Sequence, residues 1–328
     1  MKVEFTEDAC ARVVHAPAKV NLFFEILGRR SDGYHEIATV VTPISLYDRL
    51  EFERDDDSRE ISLQCFDENG SPLSESFPCD RSNLVVKAYN KFWSMFNESA
   101  QFGARCKLYK RIPTQAGLGG GSSDATACLL ALASLLDRSV RRYATRAFLQ
   151  SVAAEIGSDC ALFLENSGSI GRGRGELVEP IETPPLPLVL LKPREGLSTA
   201  ETYKQYSSTN AAYARAPRRS LAEFCETVAK ARDLCRVEPN GESLSARAIA
   251  SAAFNRLEEP AGALWSGLEN CRRRLLDSGA FQTLMSGSGT TVFGFYEDES
   301  AARRAFDYLN DSSETRERGD KIYCVRTL

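Results

Sequence analysis

No apolar run in this sequence approaches the roughly 20 residues that a membrane-spanning helix needs, so a bilayer span is not expected. The N-terminus, MKVEFTEDACARV, carries acids and has no apolar core, so neither a secretory leader nor a transit peptide is expected. Histidine is scarce, at two residues, and the ten cysteines contain no CxxC pair. That spacing opposes a zinc site, and no metal held by protein ligands alone is expected. Cysteines such as Cys106 and Cys128 lie among apolar neighbours, where a thiol acts as a small buried hydrophobe. They read as free thiols of a reducing cytosol, which makes the expected location cytoplasmic. A formal charge of −4 provides no general attraction to nucleic acid or to an anionic membrane, so neither is an expected partner. What remains is ordinary globular composition, 43% hydrophobic and 26% charged, over 328 residues, long enough for two cores.

The densest glycine block is residues 116–124, Ala-Gly-Leu-Gly-Gly-Gly-Ser-Ser-Asp, in which four of nine residues are glycine. Directly after it, ATACLLALASLL at 125–136 is rich in Ala and Leu, the strongest helix formers. A flexible loop thus opens into a helix whose first turn carries Ser122, Ser123 and Asp124. Unpaired N–H groups at the positive end of a helix dipole suit an anion, and glycine lets the backbone approach a phosphate closely. A serine-capped turn with no ligand would use the same residue types. No Lys-Ser/Thr follows the glycines, which excludes a Walker-type loop. The glycines also sit as one block, not at the spacing of a dinucleotide fingerprint.

Along the chain, VNLFFEIL at 20–27 reads as a strand, on which Lys19 and Asn21, two apart, share a face. Without further context a solvated polar face is the commoner reading of such a pair. Residues 28–33 form a turn, and Tyr34 and His35 leave it beside a β-rich stretch fit for one or two antiparallel strands. As lone residues they read as loop side chains. Asn69-Gly70 signals a hairpin between two weak strands, and 83–96 and 143–156 read as helices, the second ending at Gly157 as a C′ residue. Asp159 has the ordinary reading of an N-cap for the apolar segment after it.

The proline-rich TPPLPLP marks a domain boundary, giving domains 1–183 and 184–328. The second reads as strand (188–192), inserted helices (219–236, 244–257), helix (262–278), hairpin (281–286 and 291–296), helix (299–309) and strand (321–326). This is a ferredoxin-like α+β order. Residues 205–218 are polar, and the segment is expected to be mobile.

Four motifs recur in chain order: Pro-Ala-Lys-Val-Asn, Asp-Gly-Tyr-His, Gly-Leu-Gly-Gly-Gly-Ser-Ser and Ser-Gly-Ser-Gly. Together the chain resembles the GHMP small-molecule kinases, and within them the branch acting on a cytidine-diphosphate methylerythritol. PAKVNLFFEILGRRSDGYHEI carries the most specific part of the likeness. The resemblance implies a two-domain α+β fold, an N-terminal α/β domain with a left-handed βαβ plus a ferredoxin-like C-terminal domain. It implies phosphoryl transfer from ATP, with Mg²⁺ arriving on the nucleotide, to a small-molecule hydroxyl. The enzyme would be a monomer or a homodimer.

By resemblance Lys19 and Asp159 are the catalytic pair. Pro113, Gly117, Leu118, Gly119, Gly120, Gly121, Ser122 and Ser123 bind ATP. Asn21, Tyr34, His35, Thr199, Tyr203, Gly287 and Gly289 bind the substrate, Tyr34 and Tyr203 as the two faces of a sandwich and His35 at the cytosine edge. The chain departs from the family in two places. Ser-Asp-Cys-Ala-Leu-Phe at 158–163 lacks the usual proline, which predicts a less rigid turn. Asn255-Arg256-Leu257-Glu258 carries arginine where aspartate is usual. A homoserine or mevalonate-type GHMP kinase is the rival enzyme, although such substrates carry no base for Tyr34 to stack on. A non-catalytic nucleotide sensor is the rival of another class, which the presence of Lys19 and Asp159 opposes.

Overall fold

The computed structural model describes residues 1–5, 10–74, 77–96, 100–165, 167–208, 219–238 and 241–328. The chain forms two compact units. One comprises Met1–Ala18, Leu46–Thr114 and Gly119–Asn166, and the other Lys19–Ser45, Gln115–Leu118 and Ser167–Leu328. One cut near residue 184 is thus a different division from this interleaved one. Two long strands, β2 (Ala11–Arg29) and β3 (His35–Asp55), contribute to both units, and alternation within a strand does not mark where it changes unit. The β-rich stretch after His35 is one strand, not two.

In the first unit, β1 (Lys2–Phe5) pairs antiparallel with β2 over Phe5↔Arg12 to Lys2↔His15. The end of β3 pairs antiparallel with β5 (Gly103–Lys110), and β5 pairs parallel with β4 (Ile61–Asp67). The Asn69-Gly70 turn is present, with Gly70 at φ 85°, but among the described residues beyond it an isolated bridge, Phe66↔Pro72, stands where the second strand is expected. Helix α1 (Leu84–Met95) starts where Asn83 Oδ1 accepts from Val85 N at 2.9 Å. Helix α2 (Gly120–Leu135) buries Ala125, Ala127, Cys128, Leu129, Ala131 and Leu132 completely, as an apolar helix must. A short turn, α3 (Arg138–Arg141), precedes α4 (Arg146–Ile156), capped by Thr145. Gly157 after α4 is extended, with φ −179°, not left-handed.

In the second unit, β6 (Gly168–Gly173) pairs antiparallel with β3 over residues 37–41 and with β7 (Leu177–Ile181). Phe254–Asn255, β9, pairs parallel with β2 at Phe23 and Phe24. A separate antiparallel sheet runs β10–β11–β8–β12, from Gln282–Met285, Val292–Phe295, Pro187–Lys192 and Lys321–Arg326. This is the strand order of the ferredoxin-like plan. β8 is buried at every residue because it is central. Val189, Leu191, Met285 and Val292 join Leu275, Ala302 and Leu309 of the covering helices in one core. Helix α5 (Thr199–Ser208) takes up residues 205–208 of the polar segment, and 209–218 lie outside the described residues. Among the described residues no helix is long and apolar enough to cross a membrane.

Candidate functional site

The first unit holds the start of α2. Gly119, its N-cap, sits at φ 69°, a left-handed conformation that favours glycine. Ser123 N is the first amide spent within the helix, on Gly119 O at 2.9 Å, so the amides of Gly120, Gly121 and Ser122 lie ahead of the helical ladder, as an anion site requires. Of the two serines only Ser122 is partly exposed; Ser123 is fully buried and its Oγ has no hydrogen-bond partner. The expected hydroxyl contact from Ser123 is therefore not available in this arrangement. Leu118 is also buried, at 1% exposure, so only its backbone is placed to serve a ligand. Pro113 is half-buried in the segment leading into the loop.

Beneath this helix start lies a buried ionic cluster that the sequence reading missed. Lys110 Nζ donates to Asp48 and, at 2.7 Å, to Asp124 Oδ2. Asp48 Oδ1 also accepts from Arg111 N at 2.6 Å and Ile112 N at 2.8 Å, which fixes the chain on its way into the loop. Asp124 sits in the first turn of α2, so one ammonium ties strand, loop entry and helix start together. Burial, with Asp48 nearby, pushes the Asp124 carboxyl up to about 8 against the pull of Lys110. Its Oδ1 is buried without a hydrogen-bond partner.

Asp159 follows α4 in a turn, and the one-turn helix Ala161–Leu164 has Cys160, not Asp159, at its cap position. The capping reading of Asp159 therefore does not hold. The turn is pinned despite its missing proline. The buried Thr126 hydroxyl is shared between Ser122 O at 3.0 Å and Cys160 O at 2.8 Å, and Cys160 N donates to Gly157 O. Thr126 thereby fastens the neighbour of Asp159 to the first turn of α2. Burial pushes the Cys160 thiol up to about 12.

The second unit gathers the other polar groups. β2 is buried without interruption from residue 16 to 26, so polar side chains there must be paired. Lys19 Nζ donates to Asn21 Oδ1 at 2.6 Å, Asn21 Nδ2 to Thr39 Oγ1 at 2.9 Å, and Thr39 Oγ1 to Phe23 O at 2.7 Å. A solvated face does not describe this pair, since Lys19 is 4% and Asn21 3% exposed. Over them stands the turn 285–289. A Cβ on Gly287 would lie 3.3 Å from both Lys19 Nζ and Asn21 Oδ1. The same turn meets the glycine loop: a Cβ on Gly117 would fall 2.0 Å from Ser286 O, and Ser286 Oγ donates to Gly117 O at 2.9 Å. Thr199 shares a 2.8 Å hydrogen bond with Ser288 Oγ, and Gly289 N closes the turn onto Ser286 O at 3.0 Å.

Two residues hold that turn from behind. Asn255 Nδ2 donates to Met285 O and Gly287 O, both at 2.7 Å, and Glu258 Oε1 accepts from Met285 N at 2.7 Å. Neither is among the expected site residues, because the contacts cross some thirty positions. Arg256, between them, meets the fully buried Glu25 in a bidentate pair at 2.7 and 2.8 Å, which accounts for an arginine at this position.

The aromatic residues divide. His35 stacks on Tyr203 with centroids 5.1 Å apart, meets Tyr206 edge-on, and lies 3.3 Å from Ser207 Oγ through Nε2. Partial burial and the Arg29 charge hold the His35 imidazolium below the usual histidine range, so the ring is neutral near pH 7. Tyr34 is 57% exposed and carries the Arg174 guanidinium 4.8 Å from its ring centroid. The ring lying against Tyr203 is thus His35.

One unit thus holds an amide-lined helix start, and the other a buried lysine–asparagine pair beneath a glycine turn. The sequence matches the GHMP kinases N terminal domain over residues 83–166 and the GHMP kinases C terminal over residues 232–314. The chain belongs to the GHMP kinase family, and the expected two-domain α+β fold is borne out. It is 34% identical over 298 residues to the 4-diphosphocytidyl-2-C-methyl-D-erythritol kinase of Caldanaerobacter subterraneus, spanning 90% of this chain and 92% of that relative. It is 34% identical over 319 residues to the protein of the same name from Shouchella clausii, spanning 96% and 94%. A crystal structure of 4-(cytidine 5'-diphospho)-2C-methyl-D-erythritol kinase matches with TM-score 0.72 and 32% identity, over 96% of this chain and 98% of that one. L. major mevalonate kinase in complex with R-mevalonate has TM-score 0.67 over 99% and 96% of the chains; at 14% identity it shares the fold alone.

Proposed function

We propose that this chain transfers the γ-phosphoryl group of ATP to the 2-hydroxyl of 4-diphosphocytidyl-2-C-methyl-D-erythritol, a step of the non-mevalonate route to isoprenoids. The observation that carries the reading is the pairing, within one unit, of the Lys19–Asn21–Gly287 group with the His35–Tyr203 stack and the exposed Tyr34. A kinase for homoserine or mevalonate has no base to recognise and no use for the aromatic set. The relatives' shared name supports the same substrate.

Phosphoryl transfer asks the protein mainly to position groups and neutralise charge. The amides of Gly120, Gly121 and Ser122 hold phosphate oxygens, with Gly117 and Gly119 giving the loop its shape. Lys19, oriented by Asn21, brings a positive charge to the transferred group. Asp159 accepts or orients the hydroxyl proton, for which a carboxylate suffices in a loose transition state. Thr199 and the turn at Gly287 and Gly289 face the substrate's phosphates, and neutral His35 reads the cytosine edge while Tyr34 stacks on the ring. Ser122 and Asp159, on segments that Thr126 ties together through the Ser122 and Cys160 carbonyls, offer hard oxygen donors of the kind that would suit a magnesium ion carried in on the nucleotide. Among the described residues no three acidic, histidine or cysteine side chains cluster to cage a metal. When bound, the ion supplies charge neutralisation between phosphates. We take the enzyme to be cytoplasmic, as a monomer or a homodimer.

A coupled ADP-release assay with the cytidyl substrate, homoserine and mevalonate tests this. Turnover of the first alone is expected; turnover of either of the others with none of the first would sink it.

A further inference from the structure

We propose that Arg174 is a positioning residue for nucleobase recognition, holding the Tyr34 ring as the back plate of the pyrimidine stack; this rests on the stacking role given to Tyr34 above. Tyr34 is fixed at its backbone by its own turn. Its N–H donates to Asp32 Oδ1 at 3.1 Å and its carbonyl accepts from Arg30 N at 2.8 Å. The ring, more than half exposed, has no such restraint from the turn itself. Arg174 supplies one, its guanidinium over the ring at 4.8 Å, the geometry of a cation–π contact.

The loop carrying Arg174 is built for this placement. Gly173 and Gly175 flank it at φ 72° and 113°, and Arg174 N donates to Glu176 Oε2 at 2.6 Å. A side chain on Gly173 would put its Cβ 2.8 Å from that carboxylate. Glu36 then locks the two turns to each other. Its Oε1 accepts from Gly173 N at 3.2 Å and its Oε2 from Arg30 at 2.9 Å, in the turn that bears Tyr34. Both partners of the cation–π contact are therefore carried on turns tied through one carboxylate. With a cation on one face, the opposite face is left for a base. The guanidinium keeps the ring in one orientation before the substrate arrives, which lowers the ordering cost of binding.

The test is a double-mutant cycle on the full chain, read by steady-state kinetics with 4-diphosphocytidyl-2-C-methyl-D-erythritol and ATP. Arg174→Met keeps the aliphatic stem and removes the charge. The expected result is a rise of about 2- to 5-fold in KM for the cytidyl substrate, with kcat, KM for ATP and thermal midpoint unchanged, and partial recovery in Arg174→Lys. In the Tyr34→Ala background Arg174→Met has no further effect. An unchanged KM in the wild-type background, or the same rise in both backgrounds, overturns the proposal. Tyr34→Ala with an unchanged KM removes the stack itself. A silent Arg174→Met beside a large Tyr34→Ala effect removes only Arg174.

Discussion

The start of α2 and the turn at 285–289 both face phosphates in the reading above, yet they are held by opposite means. Under α2 the support is ionic and buried: Lys110 between Asp48 and Asp124, all nearly inaccessible to water. Behind the 285–289 turn the chief support is a neutral amide, Asn255, which spans two carbonyls. Burying charges costs several kcal/mol per ion before their attraction offsets it, whereas a neutral hydrogen bond contributes about 1 kcal/mol and costs little to bury. The ionic support is therefore a stiff clamp that fails abruptly, and the amide a milder one that fails by degrees.

The largest effect is expected at the chemistry itself. Asp159→Asn keeps the shape of the turn pinned by Thr126 and removes the proton acceptor, so kcat is expected to fall by roughly 10²–10⁴ with ATP affinity kept. Single-turnover rates together with nucleotide binding check this, and near-normal kcat would remove Asp159 from the mechanism. Next comes Lys110→Met, which leaves the buried Asp48 carboxylate and the Asp124 carboxyl without their cation. A loss of about 3–5 kcal/mol of stability is expected, read by urea unfolding; a loss below about 1 kcal/mol would mean that the clamp is not stiff. Asn255→Ala on the other side is expected to cost less, on the order of 1–3 kcal/mol for the groups left unpaired. It should act on KM for the cytidyl substrate more than on KM for ATP. Equal losses from Lys110→Met and Asn255→Ala would erase the contrast between the two supports.

What the sequence made legible follows the range of the interactions. The loop and α2 were readable because glycine, serine and an Ala/Leu run act locally. Lys19 and Asn21 were readable as a pair because a strand repeats every two residues. Their burial was not, because it depends on partners far away in the chain, and a solvated face has the same spacing. The clamps were hidden for the same reason: Lys110 reaches Asp48 across 62 positions and Asn255 reaches Gly287 across 32. The parallel pairing of β4 with β5, made through α1, leaves no local signature. Nothing local in the sequence marks Arg174 as the residue that lies over the Tyr34 ring, 140 positions away.

A titration tests the ionic side most finely, because it reads the clamp one pH unit at a time. The Asp124 carboxyl is raised to about 8 in the folded chain, chiefly by burial, from an ordinary value near 3.8. Between these values the native state keeps a proton that the unfolded chain has released. The stability from this group is then fully present below the lower value and is lost as pH rises through the upper one. Asp124→Asn mimics the protonated form at every pH. The wild-type stability minus that of the variant is therefore expected to fall from pH 5 to pH 8, by at most about 1.4 kcal/mol per unit, and to level off above. Urea unfolding at four pH values measures it. A difference that stays flat over this window would mean that Asp124 remains ionised beside Lys110, and that the clamp is a full ion triad and not a lysine shared between one carboxylate and one acid.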